Sequence, residues 1–459
     1  MKISNIIIYL VLSFLLPIGV NAQIDTKIKK IALTSDESKL LNNHLRNYQA
    51  FSMDVESVKT KIKKDYKCEF LFELDEINNW EFDLLLNDLR GQNYKAAYTT
   101  DSGRFEYKKY VPNTFKGYTN KGDIARFNID DESFHGAIFE GNSIKIVQEA
   151  KQFDKKFSRG LYLIYDLTDL ISQEYSLLGE DFIIAESQKT IESISLPKGT
   201  HCSYYLQILA DSDYELYQEL NYSISEVYNK IFSILNVVEG YYEETFELRF
   251  VVSYQNVWTT SLDPYSSLLG SVILTEIRDE WAGVPFSVIP RDIVHLFTAK
   301  SGLDVGGMAY LGTLGTTQSV GFSSYVNSYI DATIATTAHE IGHNLNAPHP
   351  PSNICSNGDY IMCQGVIGSS EFYASTQNII NSFLNNNQYT LNNPVDDNLS
   401  LSGTVSGFNE FQASNSIIST QTISSGFTIY KTEEVILNVG FEVYSGSIFE
   451  IIIQDSGCD

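Results

Sequence analysis

The chain has 459 residues, 43% of them hydrophobic and 13% aromatic, with a formal net charge of −25. That composition supports two to four packed domains and excludes a globally disordered chain. The acidity disfavours a phosphate-backbone partner, so no nucleic acid is expected to bind.

Lys2 precedes the apolar run IIIYLVLSFLLPIGV, and VNAQ follows with small residues at Val20 and Ala22. The pattern predicts a secretory signal peptide over residues 1–22, cut after Ala22. Pro17 and Gly19 interrupt the run, which is short for a membrane span, and no later stretch reaches about 18 uninterrupted apolar residues. The expectation is a secreted monomer whose mature form has no transmembrane anchor. Five cysteines occur, at 68, 202, 355, 363 and 458. An exported chain can keep disulfides, but the odd count leaves at least one thiol unpaired or bonded outside the chain. No CxxC spacing is present, which argues against a cysteine-only zinc site.

Residues 23–198 carry strand-like pieces such as CEFLFEL and RGLYLIYDL, with polar turns between short apolar runs. They are expected to form a β-rich domain with some helix. From about residue 200 the pattern changes. CSYYLQILADS and FELRFVVSYQNVW are predicted strands flanking a long helix, in which Leu216, Leu220, Ile224, Val227, Ile231 and Leu235 recur at helical spacing. A second helix is predicted around LLGSVILTEIRDEW, then strands in DIVHLFTAK and GGMAYLGTLG. YVNSYIDATIATTAHEIGHNL reads as a helix with Asn327 or Ser328 as N-cap. Alternating strands and helices make residues 199–393 an α/β domain. After the short helix STQNIINSFLNNN comes the turn-rich linker NNPVDDNLSLSG, and residues 394–459 read as a small all-β module with no long tandem repeat.

Three of the seven histidines fall in HEIGHNLNAPH, residues 339–349. His339 and His343 are four apart, so on a helix they share a face one turn apart and can bind one metal ion from the same side. Glu340, the next residue round, can point toward a bound water without displacing a ligand. His349 is too far round to continue that face, so the chain must turn. Asn346 is among the residues that most readily enter the left-handed conformation, and Pro348 stops the helix from resuming. Three nitrogens around one ion with an open position is the ligand set of a catalytic zinc, which lowers the pKa of water to about 7, and a carboxylate can take the proton released. Met362, in GDYIMCQG, can lie beneath the ion as an apolar floor. His44, His135, His201 and His295 are isolated and are expected to be structural or surface residues.

These residues resemble the metzincin metallopeptidases, whose signature is HExxHxxGxxH followed by a Met-turn. The resemblance implies zinc ligation by His339, His343 and His349, general-base catalysis by Glu340 and a Met-turn at Met362. Asn346 stands where the family has glycine. RDIVHLFTAKSGLDVGGMAYLG and HCSYYLQILADSDYELY are similar to stretches of the adamalysin (reprolysin, ADAM) branch, and TFKGYTNKGDIARFNIDDESFHGAIFEGNSIKI to its pro-domain. The fold implied is a twisted mixed sheet over helices, preceded by a β-rich pro-domain and followed by the β module. The function implied is a secreted zinc-dependent endopeptidase made as a proenzyme and acting on proteins or peptides. An edge strand at Gly307, Met308 and Ala309 would pair with an extended substrate. Calcium is not indicated. No disintegrin or cysteine-rich region follows. The branch's Pro-Lys-x-Cys latency motif is replaced by LPKGTHC, in which Cys202 matches equally a cysteine that opens the catalytic domain. Cys355 and Cys363 flank the approach to the Met-turn and can be bridged; their spacing does not decide it. The competing reading is an adhesion or binding protein on an inactive metzincin scaffold.

Overall fold

The computed structural model describes residues 28–171 apart from 57, 60–66, 77, 109–111, 130–133, 142 and 159, and residues 204–453 apart from 327–328, 356–359, 365–370, 388–397, 414 and 433. The expected leader, Cys202 and the 198/199 and 393/394 boundaries lie outside the described residues. The expected cap at Asn327 or Ser328 is corrected: the active-motif helix starts at Ile330 with Tyr329 in the N-cap position and no side-chain cap bond. No helix among the described residues is long and apolar enough to cross a membrane.

The N-terminal segment holds helix α1 (Ser35–Leu41) and strands β1 (Lys29–Lys30), β2 (Gln49–Ser52), β3 (Lys67–Glu73), β4 (Asn79–Leu86), β5 (Arg90–Thr100), β6 (Gly103–Tyr107), β7 (Thr114–Thr119), β8 (Ile124–Ile129), β9 (Phe134–Glu140), β10 (Ser143–Glu149) and β11 (Leu161–Asp166). Nine of them form one sheet in the order β1-β2-β11-β10-β9-β8-β7-β4-β3. Period-2 patterning sets its faces: in β4, Trp80, Phe82, Leu84 and Leu86 turn inward, onto Phe51, Phe70, Phe72 and Phe127.

Strands β5 and β6 leave that sheet. They join β12 (Tyr204–Ser212), β13 (Leu248–Trp258), β14 (Ile293–Thr298), β15 (Gly307–Ala309) and β16 (Val320–Ser324) in a seven-stranded mixed sheet, order β15-β16-β14-β12-β13-β5-β6. Pairing is parallel from β16 through β5, and β15 and β6 close the edges antiparallel. The central strands are apolar runs because helices cover both faces. On one face lie α3 (Ile224–Phe246), which follows the short α2 (Tyr214–Glu219), and α5 (Ile330–Asn344); their Val227, Ile231, Val238 and Ile341 pack with Leu206, Ile208 and Val252. On the other lies α4 (Gly270–Ala282), whose Ile273, Leu274, Ile277 and Trp281 pack on Leu209, Leu296 and Phe322. A last helix, α6 (Ala374–Asn386), buries Ile380, Phe383 and Leu384.

Residues 398–453 are all strand and turn: β17 (Asn398–Leu401), β18 (Thr404–Gln412), β19 (Ser416–Ser419), β20 (Thr422–Thr432), β21 (Glu434–Leu437), β22 (Glu442–Val443) and β23 (Ile448–Ile453). Every pairing among them is parallel. Asn398 sits over Ser416 and Ser416 over Glu434, a constant offset of 18 residues. The chain therefore coils in stacked rungs, which corrects the expectation of no repeat. Paired rungs share residues at Thr404/Thr422, Ser406/Ser425, Gly407/Gly426 and Phe408/Phe427, and the offset widens to 21 where Phe427 meets Ile448.

Candidate metal centre

Helix α5 is buried along nearly its whole length, and its C-terminal turns carry HExxH. The helix ends in a Schellman turn. Ala347 N–H donates to Gly342 O and Asn346 N–H to His343 O, both at 2.9 Å, and Asn346 has φ of 69°. The expected left-handed turn is there, with asparagine in the place of glycine. Gly312 (φ +66°) lies against it: its N–H donates to His343 O at 2.9 Å, and a Cβ there would lie 2.5 Å from Asn346 Oδ1.

The turn brings His349 back over the helix. The ring centroids of His339, His343 and His349 lie 4.7, 5.0 and 4.8 Å apart pairwise, and one ligand nitrogen from each falls within 4.8 Å of the others. Nδ1 of His339 donates to Ile361 O and Nδ1 of His343 to Ala347 O, both at 2.7 Å. Those carbonyls assign the tautomers and leave each Nε2 as the lone-pair nitrogen. Nε2 of His339 faces Nε2 of His349 at 3.0 Å. Two nitrogens on one tetrahedral zinc, each bonded at 2.0–2.1 Å, stand about 3.3 Å apart. Donor type, tautomer and spacing thus fit a zinc ion, and the three histidines can hold it.

Glu340 is 1% exposed and projects toward the edge strand: a Cβ at Gly307 would lie 2.7 Å from its Oε1 and 2.5 Å from Thr336 Cγ2. Glycine at 307 is what lets β15 approach the helix this closely. Met308 is 2% exposed and packs in the core with Phe322, so this strand presents main chain rather than that side chain. Met362 is fully buried beneath α5; a Cβ at Gly342 would lie 2.4 Å from its Sδ. The next residue, Cys363, is disulfide-bonded to Cys355.

Several supporting residues had no motif to announce them. Tyr242 of α3 donates its hydroxyl to Ala338 O at 2.6 Å, tying the two helices one residue before His339. Asn344 Nδ2 donates to Tyr310 O (3.0 Å) and Val320 O (3.2 Å), holding the end of α5 to the edge strands. Asp331, in the first turn of α5, accepts from Tyr165 Oη of β11 and lies 3.3 Å from His135 Nε2 of β9. His295 is buried on β14 against Ser323 Oγ (2.8 Å), and desolvation pushes it down to about 3, so it is a neutral structural residue. The other isolated histidines divide. His44 pairs with Tyr329 and His135 with Asp331, while His201 lies outside the described residues.

A mixed sheet, a buried helix that carries HExxH, an αL exit turn and a buried methionine packed against that helix have the form of a metzincin-type domain. Residues 203–401 match the reprolysin model of metallo-peptidase family M12. Disintegrin and metalloproteinase domain-containing protein 19 of Mus musculus is 25% identical over 164 residues, 34% of this chain and 17% of that protein. The chain thus corresponds to a minor part of that relative's length. Over residues 203–401 the chain is therefore similar to the reprolysin-type metzincins.

Proposed function

We propose that the protein is a secreted zinc-dependent endopeptidase, made as a proenzyme, that hydrolyses peptide bonds in proteins. The observation that carries this reading is the convergence of His339, His343 and His349 beside Glu340. The family match supports peptidase chemistry, and the histidine donor set supports zinc. When bound, zinc supplies Lewis acidity, polarising a scissile carbonyl and acidifying water.

The chain's own groups do the rest. The carbonyls of Ile361 and Ala347 hold two imidazoles in the ligating tautomer. Main-chain groups of Gly307–Ala309 on the open edge of β15 take an extended peptide as a further strand. Glu340 accepts the proton of the attacking water and returns it to the leaving amine. Gly307 leaves that carboxylate next to the strand, and so next to the peptide bond laid along it.

The test is digestion of casein by the purified protein and its Glu340→Gln variant, with zinc measured in both. The reading expects cleavage by the parent chain, a loss of at least about 100-fold in the variant and equal zinc. Equal cleavage by both would remove Glu340 from the chemistry. A zinc-loaded parent chain that cleaves nothing after every processing step would favour the adhesion reading.

A further inference from the structure

We infer that residues 28–171 are a lasting part of the molecule: cutting the chain within 172–203 leaves them bound to residues 204–386. The inference goes beyond the peptidase reading and does not need it.

Three contacts carry it. The first is a shared sheet. Strand β5 lies parallel on β13, with Lys95–Thr99 against Tyr254–Trp258, so the hairpin β5–β6 covers what is otherwise the main-chain edge of β13. At its far side Arg104 of β6 stacks over the Trp281 ring at 4.6 Å and donates to Glu280 at 2.7 Å. Thr99 Oγ1 donates to Asn256 Oδ1 at 2.9 Å, and Asn256 Nδ2 in turn donates to the buried Asp211.

The second is a matched stripe on α3. Asn236, Glu239, Gly240 and Glu243 fall on one face of that helix. Asn236 Nδ2 donates to the carbonyls of Phe115 and Phe127, both at 3.2 Å. Asn87 Nδ2 donates to Asn236 Oδ1 (2.8 Å) and Glu239 Oε2 (2.9 Å). Arg126, 2% exposed, lies between Glu239 (3.5 Å) and Glu243. Gly240 leaves room for Phe139, whose Cζ would lie 2.6 Å from a Cβ at that position. Taking the unit away would remove the Arg126 guanidinium and the Asn87 amide from Glu239, 1% exposed in the assembly, and leave it Arg249 and the Phe250 N–H, both on β13.

The third is apolar. One hydrophobic cluster runs across the seam, with Phe139 edge-on to Tyr241 at 5.1 Å and Phe153 edge-on to Tyr329 at 5.9 Å. Obligate interfaces have this apolar character. Cleavage in 172–203 therefore changes the connection between the pieces, not the composition of the particle.

The experiment inserts the site of a sequence-specific protease after Gln188 in the full chain, with Glu340→Gln to prevent self-digestion. After complete cutting, size exclusion and native mass spectrometry should find both pieces together at the uncut mass. Hydrogen exchange of the β13 amides should match that of the uncut chain. Elution of the N-terminal piece apart from a folded remainder, or fast exchange along β13 after cutting, would overturn the inference and leave the metal-site reading untouched.

Discussion

Met362 fills the space that a side chain at Gly342 would need: a Cβ there would lie 2.4 Å from the sulfur and 3.3 Å from the hydroxyl of Tyr242. Alanine in mid-helix ordinarily gains about 1 kcal/mol over glycine. Here Met362 is fully buried and its neighbour Cys363 is tied to Cys355, so the thioether has little room to retreat. Gly342→Ala is expected to lose about 1–3 kcal/mol. Met362→Leu, which conserves volume, should cost less than about 1.5 kcal/mol. Urea denaturation of both variants measures this, and a more stable Gly342→Ala would show that the floor yields.

Gly307 bears on chemistry rather than stability. A methyl group there would press on Thr336 and on the carboxylate of Glu340. Gly307→Ala should lower kcat by at least about 10-fold while zinc content holds, because the carboxylate proposed as the base is displaced and the three histidines are not. Wild-type kcat in that variant would mean that Glu340 swings clear at no cost.

The exit turn makes a graded series. Asn346 has φ of 69°, where glycine is unstrained and a β-branched side chain is not. Asn346→Gly should stay within about 0.5 kcal/mol of the parent. Asn346→Val should lose roughly 1–2 kcal/mol and weaken metal binding through His349. Thermal melts with and without a chelator read both effects. Equal stability of the valine and glycine variants would show that the turn does not need the left-handed residue.

Much of the candidate site's geometry is legible in the sequence because it is local. Helical periodicity places His339 and His343 together, and one residue with a left-handed preference places His349. The features that escape notice depend on distant partners. Nothing in RGQNYKAAYTT says that β5 will pair with β13, with Lys95 against Tyr254 and Thr99 against Trp258, rather than with β4 or β7 beside it. Asp331 reads as an ordinary first-turn acid until Tyr165 and His135 arrive from the other sheet. The rungs of residues 398–453 repeat in the letters only over short stretches, TVSGF under TISSGF, with a one-residue shift inside the strand, so a search for a long fixed-period repeat passes over them.

Asp292 gives the chain a pH signature. It is 4% exposed and accepts the Gln207 N–H at 2.7 Å, and desolvation pushes its carboxyl up to about 7. A folded-state value above the unfolded one means that the folded chain holds the proton more tightly. The resulting stability is complete below about pH 4 and is lost as pH rises to about 7. Asp292→Asn keeps the acceptor and removes the titration. Its stability relative to the parent should therefore rise between pH 4 and pH 7, by at most roughly 4 kcal/mol. A difference that stays flat across that range would show that the carboxyl ionises in the fold without penalty.

The central claim is that three imidazoles share one zinc ion. Its most direct test is metal analysis with zinc-edge X-ray absorption on the parent protein and on His349→Ala. The account predicts one zinc per parent chain with three nitrogen ligands at about 2.0–2.1 Å, and a variant that loses the metal on dialysis. A parent chain that takes up no zinc, or a His349→Ala protein that keeps full occupancy with an unchanged spectrum, would contradict it.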